Sequence, residues 1–262
     1  MERLDKAIVS RGLAESRVKA QELIKKELVR VNQKVITKPS EQIKDSDNIE
    51  IVSTDIFKYV SRGGFKLEKA LAVFGYDVKD KKILDIGSST GGFTDCCLQN
   101  GAREMICIDV GTNVMHHRLR NDPRVKLYEN TNFKEVSSDL FNGVDTAVVD
   151  VSFISLTKIF EKLFNEKIVL DVICLIKPQF ECGKEIANKY SGVILNKNIH
   201  LEIINSLLMK FSQMGFVCKG LTYSPIKGGD GNIEYLGYFT NKNKDGIDID
   251  IPKIVSDAFL EI

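Results

Sequence analysis

The stretch Lys81-Lys-Ile-Leu-Asp-Ile-Gly-Ser-Ser-Thr-Gly-Gly-Phe-Thr94 decides the fold of most of this chain. Its first half is an apolar run of strand length, and its second half is a glycine-rich turn that opens a helix. Glycine lets the backbone turn sharply and approach a ligand closely. A strand, a glycine turn and a helix in this order predict one unit of a doubly wound α/β sheet, with a ligand at the carboxyl end of the strand.

The residues after this stretch keep the same alternation. Helical stretches at 92–100, 112–120 and 155–164 lie between strand-like apolar runs at 82–86, 105–110, 125–128, 144–150 and 170–176. Strands alternating with helices predict a parallel sheet, and two later segments, 216–223 and 233–239, could add strands at one edge. We therefore expect a Rossmann-like doubly wound domain over residues 63–262, which begins with Gly63-Gly64 and a helix from Phe65 to about Phe74.

The first 56 residues predict a separate, small α+β domain. Apolar residues at helical spacing indicate two short helices, and Ser16 can cap the second, whose predicted inward-facing residues are Val18, Leu23 and Ile24. Alternating runs on both sides of Asn32-Gln33 indicate a hairpin. Residues 1–38 hold ten Lys and Arg against five Asp and Glu, a net of +5, although the whole chain carries only +1. Residues 57–62 are the predicted linker.

Composition and cysteine use exclude several classes of protein. The chain is 43% hydrophobic, yet no apolar run approaches the roughly 20 residues that span a bilayer. The N-terminus has no apolar stretch of the kind found in signal peptides, so we expect a cytoplasmic protein that does not bind membranes. The six cysteines form no Cys-x-x-Cys pair and are expected to be reduced. Adjacent His116 and His117 would point about 100° apart on a helix, so no metal site is expected.

The glycine loop is open to three interpretations. A dinucleotide-binding enzyme would have the pattern G-x-G-x-x-G, but here Asp85 stands two residues before Gly87. A carboxylate there would repel a pyrophosphate and could sit near a cationic amino-acid ligand, which favours S-adenosylmethionine. The third interpretation is a turn without a ligand. Asp109 ends the next strand, 22 positions after Gly87, and is suited to the two hydroxyls of a ribose. The predicted cofactor-binding residues are Asp85, Gly87, Ser88, Ser89, Thr90, Gly91, Gly92, Phe93, Asp109 and, near adenine, Asn130.

Four charged residues indicate which chemical group could accept the methyl group. Asp150 and Lys177 follow predicted strands, Lys66 opens the helix before the glycine loop, and Glu234 opens a late strand. A ribose hydroxyl has a very high pKa and must be deprotonated or steered, and a lysine can act as base only if burial or a neighbouring cation lowers its pKa. Two acids could orient the two lysines around one hydroxyl, and the lysines could lower each other's pKa. The alternative is two surface lysines and two ordinary ion-paired acids.

These segments give the chain a family resemblance. It resembles the TlyA group of rRNA 2′-O-methyltransferases, whose catalytic domain is similar to the FtsJ/RrmJ RNA methyltransferases. The matching segments, within residues 60–235, are Val-Ser-Arg-Gly-Gly-Phe-Lys-Leu, Ser-Thr-Gly-Gly-Phe-Thr, Arg-Asn-Asp-Pro-Arg-Val, Val-Ser-Phe-Ile-Ser-Leu, Ile-Lys-Pro-Gln-Phe-Glu and Gly-Asn-Ile-Glu-Tyr. The resemblance implies a catalytic tetrad of Lys66, Asp150, Lys177 and Glu234. It also implies methyl transfer to the 2′-oxygen of a cytidine ribose in the RNA of one or both ribosomal subunits.

The N-terminal segment resembles the small RNA-binding domain named for ribosomal protein S-four. This resemblance implies that the basic residues Arg3, Arg11, Arg17, Lys19 and Lys25 contact phosphates, which position an enzyme without reading sequence. Arg62, in the linker, is predicted to join them. Two other functions stay open at this point. One is a non-catalytic RNA-binding or ribosome-assembly factor with a vestigial cofactor fold, and the other is membrane lysis, since relatives carry the label haemolysin.

Overall fold

The computed structural model describes residues 1–52 and 58–262 of the chain. The chain divides into two compact units, Met1–Lys58 and Tyr59–Ile262. The boundary between the units falls inside the predicted linker, of which Phe57 lies outside the described residues.

The N-terminal unit combines two helices with short antiparallel strands. Its elements are β1 (Glu2–Arg3), α1 (Leu4–Ser10), α2 (Arg17–Lys25), β2 (Val29–Val31), β3 (Lys34–Val35), β4 (Gln42–Ile43) and β5 (Ile49–Ile51). The predicted hairpin is β2 with β3, and β2 also pairs with β5, while β1 pairs with β4. Ser16 caps α2 by accepting a hydrogen bond from the Lys19 N–H. Leu23 and Ile24 are buried as predicted, but the prediction for Val18 is wrong, because it lies in the first turn of α2 with 75% of its surface exposed.

The second unit alternates strands and helices. Its elements are α3 (Gly63–Phe74), β6 (Lys82–Ile86), α4 (Gly92–Gln99), β7 (Glu104–Ile108), α5 (His117–Arg120), β8 (Val125–Tyr128), β9 (Thr146–Val149), α6 (Leu156–Asn165), β10 (Asp171–Ile176), α7 (Pro178–Glu181), α8 (Gly183–Lys189), α9 (Lys197–Gln213), β11 (Val217–Tyr223), β12 (Tyr235–Thr240) and α10 (Ile251–Glu261). Two 3₁₀ turns, Phe133–Glu135 and Ser138–Phe141, precede β9.

The strands of the second unit form one seven-stranded sheet. The strand order is β11-β12-β10-β9-β6-β7-β8. Strands β6 to β10 run parallel, and β12 lies antiparallel between β10 and β11. The chain leaves β6 toward β7 and β8 and then returns to β9 on the other side of β6. The carboxyl ends of β6 and β9 therefore flank a topological switch point, where ligands bind in open α/β sheets.

Hydrophobic cores cover both faces of this sheet. Successive residues of a strand point to opposite faces, so Ile83 packs on the side of α3 and α4, while Leu84 packs on the side of α6 and α9. On the second side Phe160 stacks on Phe211 with ring centroids 3.7 Å apart. The sheet is thus held rigidly in a three-layer arrangement that fixes the loops at its carboxyl edge.

Two predicted helix boundaries differ from the structure. Helix α3 begins at Gly63 rather than Phe65. The helix predicted over 112–120 is reduced to His117–Arg120, because Asn113 adopts a left-handed φ of +57° and the Val114 N–H donates to the Glu129 carboxylate. The segment 110–116 is therefore a loop at the ligand-binding edge of the sheet.

Candidate active site

The glycine loop requires glycine at its closest approaches to neighbouring backbone. Gly87 has a φ of +81°, and a Cβ at this position would lie 2.5 Å from the backbone oxygen of Asp150. A Cβ on Gly92 would lie 2.3 Å from the Ser61 Oγ and 2.9 Å from the backbone nitrogen of Gly64. Any larger residue would force backbone apart, so the loop, the end of β9 and the start of α3 meet at one point.

Asp85 lies beneath this loop rather than at its surface. The side chain is fully buried, and its Oδ2 accepts a hydrogen bond of 2.5 Å from the Thr94 hydroxyl. Its Oδ1 has no hydrogen-bond partner among the described residues. Burial raises the pKa of this carboxyl to about 7. Asp85 is therefore placed to support the loop from below.

Two adjoining cavities open at the carboxyl edge of the sheet. The smaller, of about 220 Å³, is lined by Ser61, Arg62, Gly63, Lys66, Gly87, Ser88, Ser89, Thr90, Gly92, Phe93 and Asp150. The larger, of about 510 Å³, shares Gly87, Ser89 and Asp150 with it and is otherwise lined mostly by apolar side chains. Apolar walls with a few polar groups are typical of cofactor sites. Most of the predicted cofactor loop thus lines these cavities.

Asp109 and the segment after β8 form one side of the larger cavity. The two carboxylate oxygens of Asp109 accept hydrogen bonds of 2.7 Å from the N–H groups of Ser89 and Gly111, so this acid also holds the glycine loop. Asn130 was the predicted adenine contact. The structure instead has Asn130 turn the chain with a φ of +50° and donate its N–H to the Gly111 carbonyl, while Thr131, Asn132 and Phe133 line the cavity.

The four predicted tetrad residues form two ion pairs. Lys66 Nζ lies 2.5 Å from Glu234 Oε2, and both residues are buried, with 8% and 3% of their surfaces exposed. Lys177 Nζ lies 2.6 Å from Asp150 Oδ1, an ion pair without the geometry of a hydrogen bond, and donates a hydrogen bond of 2.9 Å to the Ser152 hydroxyl. Each lysine therefore has one acid as its partner, in the interior for Lys66 and Glu234 and at the cavity wall for Lys177 and Asp150, whose side chain is 24% exposed.

Two residues of this site were missed in the sequence. Ser152 contacts the Lys177 ammonium, as described above. Phe153 has 91% of its surface exposed and a left-handed φ of +63°, and its ring lies 4.9 Å from the ring of Phe180. Both residues belong to the segment Val-Ser-Phe-Ile-Ser-Leu, and the spacing of its apolar residues gives no sign that one ring faces solvent.

The basic residues predicted to bind RNA differ in their partners and in their exposure. Arg3 and Arg17 both pair with the buried Asp5, at 3.0 and 2.9 Å, and leave 39% and 50% of their side chains exposed. Arg11 instead donates to the backbone oxygens of Lys44, Asp45 and Asp47, and Lys19 pairs with Glu15. Lys25 is exposed in the last turn of α2, and Arg62 lines the smaller cavity of the second unit.

The three histidines and three further arginines, Arg118, Arg120 and Arg124, contact other groups of the protein. The rings of His116 and His117 lie against each other with centroids 4.4 Å apart, and within residues 1–52 and 58–262 no cluster of acids, histidines and cysteines could hold a metal ion. His200 is fully buried between the Tyr235 hydroxyl and the Ile194 carbonyl. Arg118, Arg120 and Arg124 each form an ion pair with an acid.

Comparison with known proteins gives a match for each unit. Residues 59–240 match the FtsJ-like methyltransferase family and residues 2–49 match the S4 domain. The chain is 46% identical over 240 residues to Hemolysin A of Brachyspira hyodysenteriae, which covers 90% of this chain and 99% of that protein. It is 36% identical over 236 residues to the 16S/23S rRNA (cytidine-2′-O)-methyltransferase TlyA of Mycobacterium tuberculosis, which covers 89% of this chain and 88% of that protein.

The fold is also similar to that of a solved structure. A structure of a Streptococcus thermophilus protein superposes with a TM-score of 0.75 at 40% identity and covers 99% of this chain and 96% of that chain. Among the described helices, none has the length and apolar character needed to cross a membrane.

Proposed function

The chain belongs to the FtsJ-like methyltransferase family, and from this premise we propose that it transfers a methyl group from S-adenosylmethionine to the 2′-oxygen of a cytidine ribose in ribosomal RNA. The observation that carries the proposal is the presence of two lysine–carboxylate ion pairs beside the glycine loop. The 36% identical relative from Mycobacterium tuberculosis bears this activity in its name. A ribosomal RNA substrate implies that the protein works in the cytoplasm.

The two cavities fit the two ends of S-adenosylmethionine. The larger one would take adenosine, with Phe133 among its apolar walls and Asp109 accepting from the ribose hydroxyls. The smaller one would take the amino-acid arm, since the buried Ser88 hydroxyl has no hydrogen-bond partner among the described residues and the Arg62 guanidinium can bind a carboxylate. In this proposal Arg62, which the sequence predicts to bind RNA, would instead contact the cofactor. Asp150 lies where the two cavities meet.

The chemistry follows from the contacts of Lys177. When bound, the cofactor supplies an electrophilic methyl group next to its positive sulfur. A lysine ammonium has three N–H donors. Lys177 donates one of them to Ser152 and lies against Asp150 as an ion pair, so another N–H can hold the ribose oxygen in line for attack. Asp150, beside the Lys177 ammonium, would accept the proton of this hydroxyl, and this arrangement favours steering by Lys177 over its use as a free base. The Lys66–Glu234 pair fixes a second positive charge at the wall of the smaller cavity.

The exposed ring of Phe153 suits a nucleotide that has left its base stack. Sequence-specific RNA recognition favours unstacked bases that lie on aromatic side chains. Phe153 is three residues after Asp150, so a base on its exposed face would lie close to a ribose held by Lys177. Arg3 and Arg17 of the S4 domain, oriented by Asp5, are the best placed residues for phosphate contacts.

Transfer of a labelled methyl group from S-adenosylmethionine to purified ribosomal RNA tests this function. The wild-type protein should label RNA, and nuclease digestion should release the label as 2′-O-methylcytidine. A labelled base, or no label together with no S-adenosylmethionine binding in calorimetry, would contradict the proposal and favour a non-catalytic RNA-binding factor.

A further inference from the structure

The loops that follow β9 and β10 run side by side at the candidate active site. At their strand ends, Lys177 joins them through Asp150 and Ser152. Further along, the ring of Phe180 lies 4.9 Å from the ring of Phe153. The two loops are therefore in contact at the reacting groups and at the aromatic pair.

Glu181 forms a third connection at the far end of the same two loops. Its Oε2 accepts a hydrogen bond of 2.6 Å from the Ser155 hydroxyl, and its Oε1 accepts one of 2.8 Å from the Leu156 N–H. Ser155 in turn caps the ten-residue helix α6 by accepting a hydrogen bond from the Thr157 N–H. Both carboxylate oxygens thus hold the end of the loop that begins at Asp150.

The backbone conformation of Phe153, which lies between the contacts of Lys177 and those of Glu181, needs to be held in place. Phe153 has a φ of +63°, which is a strained conformation for a bulky residue. Such conformations persist only where the surroundings hold them. Its ring is 91% exposed, so packing supplies little of that restraint. The contacts that can supply the restraint are those of Lys177 before Phe153 and those of Glu181 after it, beside the ring contact with Phe180.

We infer that Glu181 is a positioning residue, which holds the 150–155 loop so that Asp150, Ser152 and Phe153 keep their places around Lys177. This inference rests on the proposed function. Glu181 lies four residues after Lys177, at the end of the single turn of α7. Both side chains therefore contact the 150–155 loop and Leu156 from the same short segment. The glycine loop and Asp109 follow β6 and β7 and are held by other contacts.

Replacing Glu181 by alanine should therefore slow methyl transfer more than it weakens cofactor binding. We expect kcat to fall about 10- to 100-fold, since a displacement of about 1 Å at a catalytic group can have an effect of that size. The dissociation constant of S-adenosylmethionine should change by a smaller factor than kcat, because residues 150–154 form only one wall of the larger cavity and the glycine loop and Asp109 are held by other contacts. Glu181→Gln should restore most of the rate, because its oxygen can accept from Leu156 N–H and its amide nitrogen can donate to Ser155 Oγ.

A matched variant separates positioning from loss of stability. Asp250 caps α10 by accepting a hydrogen bond of 2.9 Å from the Lys253 N–H, away from the cavities described above. Asp250→Ala removes a hydrogen bond to the first turn of a helix, as Glu181→Ala does at Leu156, and should lower the melting temperature without lowering kcat. The inference is overturned if Glu181→Ala retains the wild-type kcat, if Glu181→Gln is as slow as the alanine variant, or if kcat falls in both variants in proportion to melting temperature.

A spectroscopic measurement tests the anchor without any activity. The chain has no tryptophan, so Phe153→Trp introduces a single reporter at the loop. Adding Glu181→Ala to this variant should lower the fluorescence anisotropy of the reporter. Unchanged anisotropy would overturn the inference about Glu181, whatever the activity of the protein. A wild-type protein that transfers no methyl group would overturn the proposed function instead.

Discussion

Replacing Lys66 by methionine should destabilise the protein strongly, because it leaves a buried carboxylate without its partner. Glu234 is only 3% exposed, and its Oε2 lies 2.5 Å from Lys66 Nζ. At an effective dielectric of about 20, unit charges at this separation attract by roughly 7 kcal/mol, and desolvation of the two ions offsets several kcal/mol of that. Removing one partner of such a pair is expected to lower the free energy of unfolding by about 3–5 kcal/mol.

A double-mutant cycle measured by chemical denaturation tests this value. Lys66→Met and Glu234→Gln should each be destabilising, and the double variant should be more stable than the sum of the two single effects, because no unpaired charge remains buried. Lys253→Met is the control, since its exposed pair with Asp257 should contribute little to stability. Strict additivity of the two substitutions, or a loss at Lys66 as small as that of the control, would refute the reasoning.

Two further predictions concern pH and the glycine loop. Burial lowers the pKa of His200, so the folded protein binds a proton there less readily than the unfolded chain does. The free energy of unfolding should therefore fall as the pH drops below about 6.5, by at most about 1.4 kcal/mol per pH unit. His200→Gln should remove that part of the slope in denaturation series from pH 7.5 to 5.5. Gly87→Ala should weaken S-adenosylmethionine binding more than tenfold in calorimetry, since its Cβ would overlap the Asp150 carbonyl at a φ of +81°; an unchanged affinity would show that the loop is not the cofactor site.

The sequence predicts the architecture of the second unit well because its signals are local. Alternation of apolar runs with helical stretches identifies the strands β6 to β10, and polar residues directly after a strand, such as Asp109, Asp150 and Lys177, must meet at one edge of a parallel sheet. The helix cap at Ser16 is equally local, since its partner is three residues away.

The remaining features depend on distant contacts that spacing does not encode. Lys66 and Glu234 pair across 168 residues, and their contact depends on the antiparallel placement of β12 beside β10. His200 is buried because α9 turns it toward Tyr235, which lies 35 residues further along the chain. The exposure of Phe153 likewise depends on the backbone turn at φ +63°.

The most direct measurement of the central claim is mass-spectrometric mapping of ribose methylation on ribosomal RNA incubated with S-adenosylmethionine and either wild-type protein or Lys177→Ala. The account predicts 2′-O-methylcytidine at a defined position with the wild-type protein, and none with Lys177→Ala although that variant still binds the cofactor, because Lys177 holds the ribose oxygen and contacts Asp150 and Ser152. Wild-type levels of ribose methylation with Lys177→Ala would contradict the account.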